Sequence, residues 1–148
     1  MEKFNFKLQG LLRLREFKED RLKNELGEIV RLLNQTRDDI SKLNKEVDEA
    51  YLAQEKVLIK SETAQMAHFF NYFIRGKKEH IKDKEAKLYS LERKYEIKAA
   101  ELSQAMGEVK VIDNLKQKSF EEYKYKLNKL EQANIEEFVI MKAADKDR

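Results

Sequence analysis

The chain has 148 residues, 40% of them charged, and it contains no proline and no cysteine. Average usage would give roughly 7 prolines at this length, and proline breaks helices by removing an N–H and clashing with the preceding turn. The missing cysteines exclude disulfides and thiolate metal sites. The formal charge of +3 comes from 31 basic and 28 acidic residues, interleaved along the chain. Such interleaving belongs to solvated helix faces laced with i,i+4 pairs. No basic block stands apart from acidic neighbours, so nucleic acid is not an expected partner.

Turns must be few, since glycine occurs only at Gly10, Gly27, Gly76 and Gly107. The opening Met1-Glu2-Lys3-Phe4-Asn5-Phe6 does not read as a signal peptide, because no apolar run follows a basic start, and none is expected. The longest apolar candidate, His68-Phe69-Phe70-Asn71-Tyr72-Phe73-Ile74, falls well short of the ~20 residues that span a bilayer. Direct membrane insertion is therefore not expected.

Periodicity predicts the elements. Alternating steps of four and three from Leu22 reach Leu26, Ile29, Leu33, Thr36, Ile40, Leu43, Val47, Ala50, Gln54, Val57, Ser61 and Ala64. Stepping back meets Glu19, Arg15, Leu12 and Leu8. A repeat of 3.5 residues keeps one helix face on a partner helix, which is the seam of a coiled coil. The same stepping from Ile81 gives Glu85, Leu88, Glu92, Tyr95, Ala99, Leu102, Met106, Val109, Asp113, Lys116, Phe120, Tyr123, Leu127 and Leu130. Leu91, Ile112 and Leu115 sit one position off this register, as at a stutter.

Two such runs bury each other's seams if the chain folds back as an antiparallel hairpin. A single long helix paired with another chain is the alternative. A hairpin needs one turn, and two places suit it. One is Ile59-Lys60-Ser61-Glu62-Thr63, where Ser61 or Thr63 would cap the second helix. The other is Arg75-Gly76-Lys77-Lys78, where Gly76 would supply a left-handed residue. The first choice sets Leu22 opposite about Leu102, Leu12 opposite about Ile112 and Leu8 opposite about Leu115. It also makes the second helix longer, and leaves Phe120, Tyr123, Leu127 and Leu130 without a partner in the chain. The second choice sets Leu22 opposite about Leu130 and makes that stripe ordinary core.

Chemistry finds no foothold. There is no nucleophile elbow, no phosphate-cradling glycine loop and no Cys pair. His68 and His80 lie 12 residues apart, whereas a helical zinc site places its ligands about four apart. A two-helix hairpin has almost no interior in which to shift a pKa or enclose a substrate. No enzyme, cofactor or metal is expected. Function then rests on side chains that the seams leave outside. Phe69, Phe70, Tyr72, Phe73 and Ile74 spread round well over half of a helix, more than one partner helix covers. Some of these rings should meet water or another protein, and Tyr51 would extend the patch. The stripe Phe120, Tyr123, Leu127 and Leu130, with Phe138 and Met141 beyond, is the second surface. The polar seam positions Thr36, Gln54, Asp113 and Lys116 read as fixing register.

Several segments resemble the FliJ family. The opening Phe4-Asn5-Phe6-Lys7-Leu8-Gln9-Gly10-Leu11-Leu12-Arg13-Leu14-Arg15-Glu16 resembles that family's start. The segment from Gln65 to Ile74 looks like the start of its second helix. Glu108-Val109-Lys110-Val111-Ile112-Asp113-Asn114-Leu115-Lys116-Gln117-Lys118, with Tyr123, is similar to its late helical motif. Glu131-Gln132 and Glu136-Glu137 are similar to its C-terminal pattern. The resemblance implies an all-α fold: two long helices in an antiparallel coiled-coil hairpin, with the second helix the longer. It favours the earlier turn, giving one coiled-coil domain over 1–148. Helix is then expected over about 5–59, a turn over about 60–63, helix over about 64–142, and a frayed C-terminus.

The resemblance also implies a component of the flagellar type III export apparatus. Such a protein acts as a stalk that binds the export ATPase FliI and promotes its ring, links it to the export gate protein FlhA, and escorts export chaperones. Its expected location is the bacterial cytoplasm, at the membrane face of the flagellar base. The equivalent stalk of a virulence secretion system and a self-assembling structural coiled coil are the alternatives. For the gate and chaperones the resemblance points to Phe73 and Tyr51, within the patch of Phe69, Phe70 and Tyr72. For the ATPase it points to Leu11, Leu14, Arg15 and Lys18 on the first helix and Lys116, Lys118 and Phe120 on the second. Tyr123, Leu127 and Leu130 continue that stripe. Lys77 and His80 depart from the family, standing where small or apolar residues are usual.

Overall fold

With nothing in the sequence to interrupt a helix, two long helices form. In the computed structural model, which describes residues 2–59 and 64–147, α1 spans Gln9–Ile59 (51 residues) and α2 spans Ala64–Lys146 (83 residues). There is no strand among the described residues. The two helices pack against each other as an antiparallel hairpin, and α2 is the longer. The turn expected over about 60–63 lies outside the described residues. The alternative turn at Gly76 is excluded, because α2 runs through that residue as regular helix.

The chain divides into two compact units. The inner unit is Arg21–Leu102, and the terminal unit joins Met1–Asp20 to Ser103–Arg148.

In the inner unit the core is Leu43, Val47 and Ala50 of α1 against Ile74 and Ile81 of α2, with Ile40 packed on it. Every position stepped from Leu22 to Val57 is buried or half-buried, so the seam of α1 follows the sequence reading throughout. Thr36 is the one buried polar side chain among the described residues. Its hydroxyl donates to the Leu32 carbonyl one turn back, at 2.8 Å, so it is satisfied within its own helix. Gln54 instead reaches across, and its Nε2 donates to Asn71 Oδ1 at 2.7 Å.

The seam of α2 departs from the expected register at alternate positions. Ile81, Leu88 and Leu102 lie on it, as stepped. Between them Lys84, Leu91 and Lys98 turn inward; Glu85 is exposed, while Glu92 and Ala99 are half-buried beside the seam. In the terminal unit the same one-residue rotation buries Ala105 (1% exposed) and leaves Met106 48% exposed. Ile112 is buried there and Asp113 faces out. Leu91 and Ile112 are therefore regular members of the seam, and no stutter is needed to include them; Leu115 remains largely outside.

Ion pairs line this seam in the inner unit. Three lysines at heptad steps along α2 meet three acids at heptad steps along α1: Lys77 with Glu46 at 2.7 Å, Lys84 with Asp39 at 3.3 Å, and Lys98 with Glu25 at 2.7 Å. Their aliphatic stems cover the seam while the ammonium groups reach its edge. These pairs run backward along one helix and forward along the other, as antiparallel packing requires.

In the terminal unit, Leu12 and Ile112 are buried, and Arg15 Nη1 donates to Glu108 Oε2 at 2.6 Å. Residues 2–8 are not helical, so α1 begins later than the expected position near 5. The Gln9 N–H donates to the Phe6 carbonyl at 3.1 Å, and the Leu12 N–H to the Leu8 carbonyl at 2.9 Å. On a helix Phe4 and Phe6 would point about 200° apart; in an extended segment they share one side, and both are half-buried. At the far end α2 continues to Lys146, whose charge suits the negative end of the helix dipole. From Gln132 to Asp147 every residue is exposed.

Candidate functional site

A hairpin without an enclosed interior offers surfaces, and the candidate residues are divided between the two units. Among the described residues no group of three His, Cys, Asp or Glu side chains is placed to hold a metal ion. No described helix is long and apolar enough to cross a membrane.

The inner unit carries the aromatic cluster at the start of α2. Helical spacing sorts its members. Ile74 is core, 5% exposed, and Phe70 is half-buried beside it. Phe69 and Phe73 stand four residues apart and stack, with centroids 6.3 Å apart and planes 25° from parallel. Phe70 meets Phe69 edge-on at 5.9 Å. Tyr72 points fully outward, 81% exposed. The cluster is thus a ring ladder on one flank of α2, backed by a core isoleucine.

Tyr51 on α1 is exposed, but its ring lies under the Lys78 ammonium at 5.2 Å. Phe73 lies under Lys77 at 5.3 Å. Consecutive helical residues diverge by about 100°, so these two lysines mark different flanks, and Tyr51 does not join the Phe69–Phe73 ladder. Lys77 also holds the Glu46 carboxyl below the ordinary carboxylate range, mainly through its hydrogen bond. Lys77 thus ties the exposed Phe73 ring to the ion pairs of the seam.

The terminal unit carries the second set. Leu11 and Leu14 are exposed on α1 with Lys18, while Arg15 is held inward by Glu108. On α2, Lys116, Phe120, Tyr123 and Leu127 are half-buried, whereas Lys118 is exposed and Leu130 is 51% exposed. The stripe from Phe120 is therefore neither bare nor core. Phe4 packs edge-on against Phe120 with centroids 5.2 Å apart, and meets Tyr123 at 5.5 Å. The Tyr123 hydroxyl donates to the Glu2 carbonyl at 2.9 Å. Sequence reasoning found the stripe and missed this cover. The available signal was the alternation of Phe4 and Phe6, a period of two inside a chain whose other patterns have a period of 3.5. Beyond Leu130, the side chains of Ile135, Phe138, Val139, Ile140 and Met141 are all exposed.

No curated protein and no solved structure matches the chain. A family model described as flagellar FliJ protein matches residues 4–148, essentially the whole chain. Because that match covers essentially the whole of an all-helical hairpin, the chain belongs to the FliJ family, a component of flagellar type III protein export.

Proposed function

We propose that this chain is the coiled-coil stalk of the export apparatus: it binds the export ATPase FliI and promotes its assembly or turnover, engages the export gate protein FlhA, and escorts unloaded export chaperones. The observation that supports this reading is the length of α2. Leu12 and Ile112 mark where the helices last bury apolar side chains together, yet α2 continues to Lys146. Leu127, Leu130, Phe138 and Met141 thus project from helix with no described residue of α1 opposite them, which leaves an apolar stripe for another protein. The ATPase surface is assigned to Leu11, Leu14, Arg15, Lys18, Lys116, Lys118, Phe120, Tyr123, Leu127 and Leu130. The gate and chaperone surface is assigned to Phe69, Phe70, Tyr72 and Phe73, with Tyr51 on the neighbouring flank. Work at the cytoplasmic face of the membrane follows from these partners.

Mixing the chain with its cognate export ATPase tests the first part. Hexamer formation or ATP turnover should rise, and replacing Leu130 by Asp should abolish the rise without loss of helicity. No change in either at a stoichiometric excess of the chain would sink the ATPase assignment.

A further inference from the structure

The N-terminal segment behaves as a ligand that happens to be tethered. Residues 2–8 leave the helical path and lie along the second half of α2. Phe4 and Phe6 are half-buried, while Glu2, Lys3, Asn5 and Lys7 between and around them are exposed. This is the one-sided pattern of an extended peptide. Phe4 closes a three-ring cluster with Phe120 and Tyr123, which also stack on each other at 6.4 Å. The Glu2 carbonyl accepts the Tyr123 hydroxyl. The backbone hydrogen bonds at Phe6 and Leu8 belong to the entry into α1, so residues 2–5 are held by ring contacts and by that hydroxyl. A groove lined by Tyr123, Lys126, Leu127, Leu130 and Asn134 continues along α2 from Glu2.

We propose that residues 2–8 are a displaceable strap filling a peptide site on α2, and that the site accepts an extended segment with aromatic side chains two residues apart. The site consists of Phe120 and Tyr123 under Phe4, with the hollow running on past Phe6 toward Leu115 and Ser119; the groove toward Leu130 lies beyond Glu2. Tethering keeps it filled in the free chain, because a short linker supplies an effective concentration of roughly millimolar. A weak contact then suffices to cover two aromatic rings that would otherwise face water. A partner that needs Phe120 and Tyr123 must first lift the strap. That consequence rests on the ATPase reading above; the strap and its site do not.

The test uses a synthetic peptide with the sequence of residues 1–9 and the full chain, so it needs no ATPase. The peptide should bind the Phe4→Ala chain about tenfold or more tightly than the unaltered chain, because the tethered competitor at roughly millimolar effective concentration has been weakened. A peptide carrying Phe4→Ala should lose binding. So should a Phe4→Ala chain that also carries Tyr123→Ala, provided its helicity is intact. The milder Tyr123→Phe keeps the ring and removes only the hydroxyl, and should speed amide exchange across residues 2–8. Equal affinity for both chains, binding that survives loss of the peptide's Phe4, or no binding at about 1 mM peptide would each overturn the proposal. An ATPase interaction that fails while the peptide binds would leave the strap standing.

Discussion

The ammonium of Lys77 lies 5.3 Å from the centre of the Phe73 ring and 2.7 Å from Glu46 Oε2. Phe73 is thereby presented on a side chain that is itself anchored across the hairpin. Phe73→Ala should leave helicity intact and shift stability by less than about 1 kcal/mol, as a half-exposed position does. Binding to the export gate should weaken severalfold or more. Circular dichroism and a pull-down against the gate's soluble portion report the two effects, and unchanged binding would remove Phe73 from the surface.

Ile74 is the internal control. It neighbours Phe73 in sequence but is 5% exposed, within the core of Leu43, Val47, Ala50 and Ile81. Ile74→Ala should cost about 2–4 kcal/mol through lost burial and a cavity. A urea titration in which the midpoints of the two alanine variants coincide would contradict this division of roles.

Acid should loosen the pairing of the helices. Glu46 is held below its ordinary value chiefly by the Lys77 hydrogen bond, and Glu25 by the Lys98 hydrogen bond. A carboxyl depressed in the folded state contributes stability above its unfolded pKa, about 4.3. It loses that stability as pH falls through the folded value. Lys98 is raised, mainly by Glu25. Its contribution is complete below the ordinary lysine value of about 10.4 and is lost as pH climbs past it. The melting temperature should be flat between these limits and fall on the acid side. Glu25→Gln and Glu46→Gln together should shrink the acid-side fall. Because the pairs are partly exposed, added salt should shrink it too.

Gly76 offers the reverse kind of test. It sits inside α2, and nothing lies within 4 Å of where a Cβ would be. Gly76→Ala should stabilise the chain by about 0.5–1 kcal/mol, since glycine carries that cost in a helix interior. A turn at this position would make the same change destabilising, so the sign of the melting shift decides between the two.

What could be read from the sequence followed from which residues looked apolar. The α1 seam from Leu22 to Val57 was legible because its members are almost all aliphatic. Half of the α2 seam was not: stepping from Ile81 by four rather than three passed over it, and Lys84 and Lys98, which a hydrophobic template rejects however well their stems pack, hid the choice. Helical pairing also explained why the crowded rings beside Ile74 must spill outward, though not that Tyr51 would sit apart from them. The strap was hidden by the strength of the surrounding pattern. A segment without proline, leading into a long helix, reads as helix until Phe4 is seen to pack edge-on against Phe120.

The ladder of lysines has one missing rung. Seven residues beyond Lys84 comes Leu91, and seven before Asp39 comes Leu32. A strictly repeating row of charges would fit equally well after sliding by one heptad. With the leucine rung in place, such a slide would set a lysine against Leu32 and an acid against Leu91, stranding charge on an apolar neighbour. The irregularity acts as a vernier mark: it lets two nearly periodic helices recognise a single alignment.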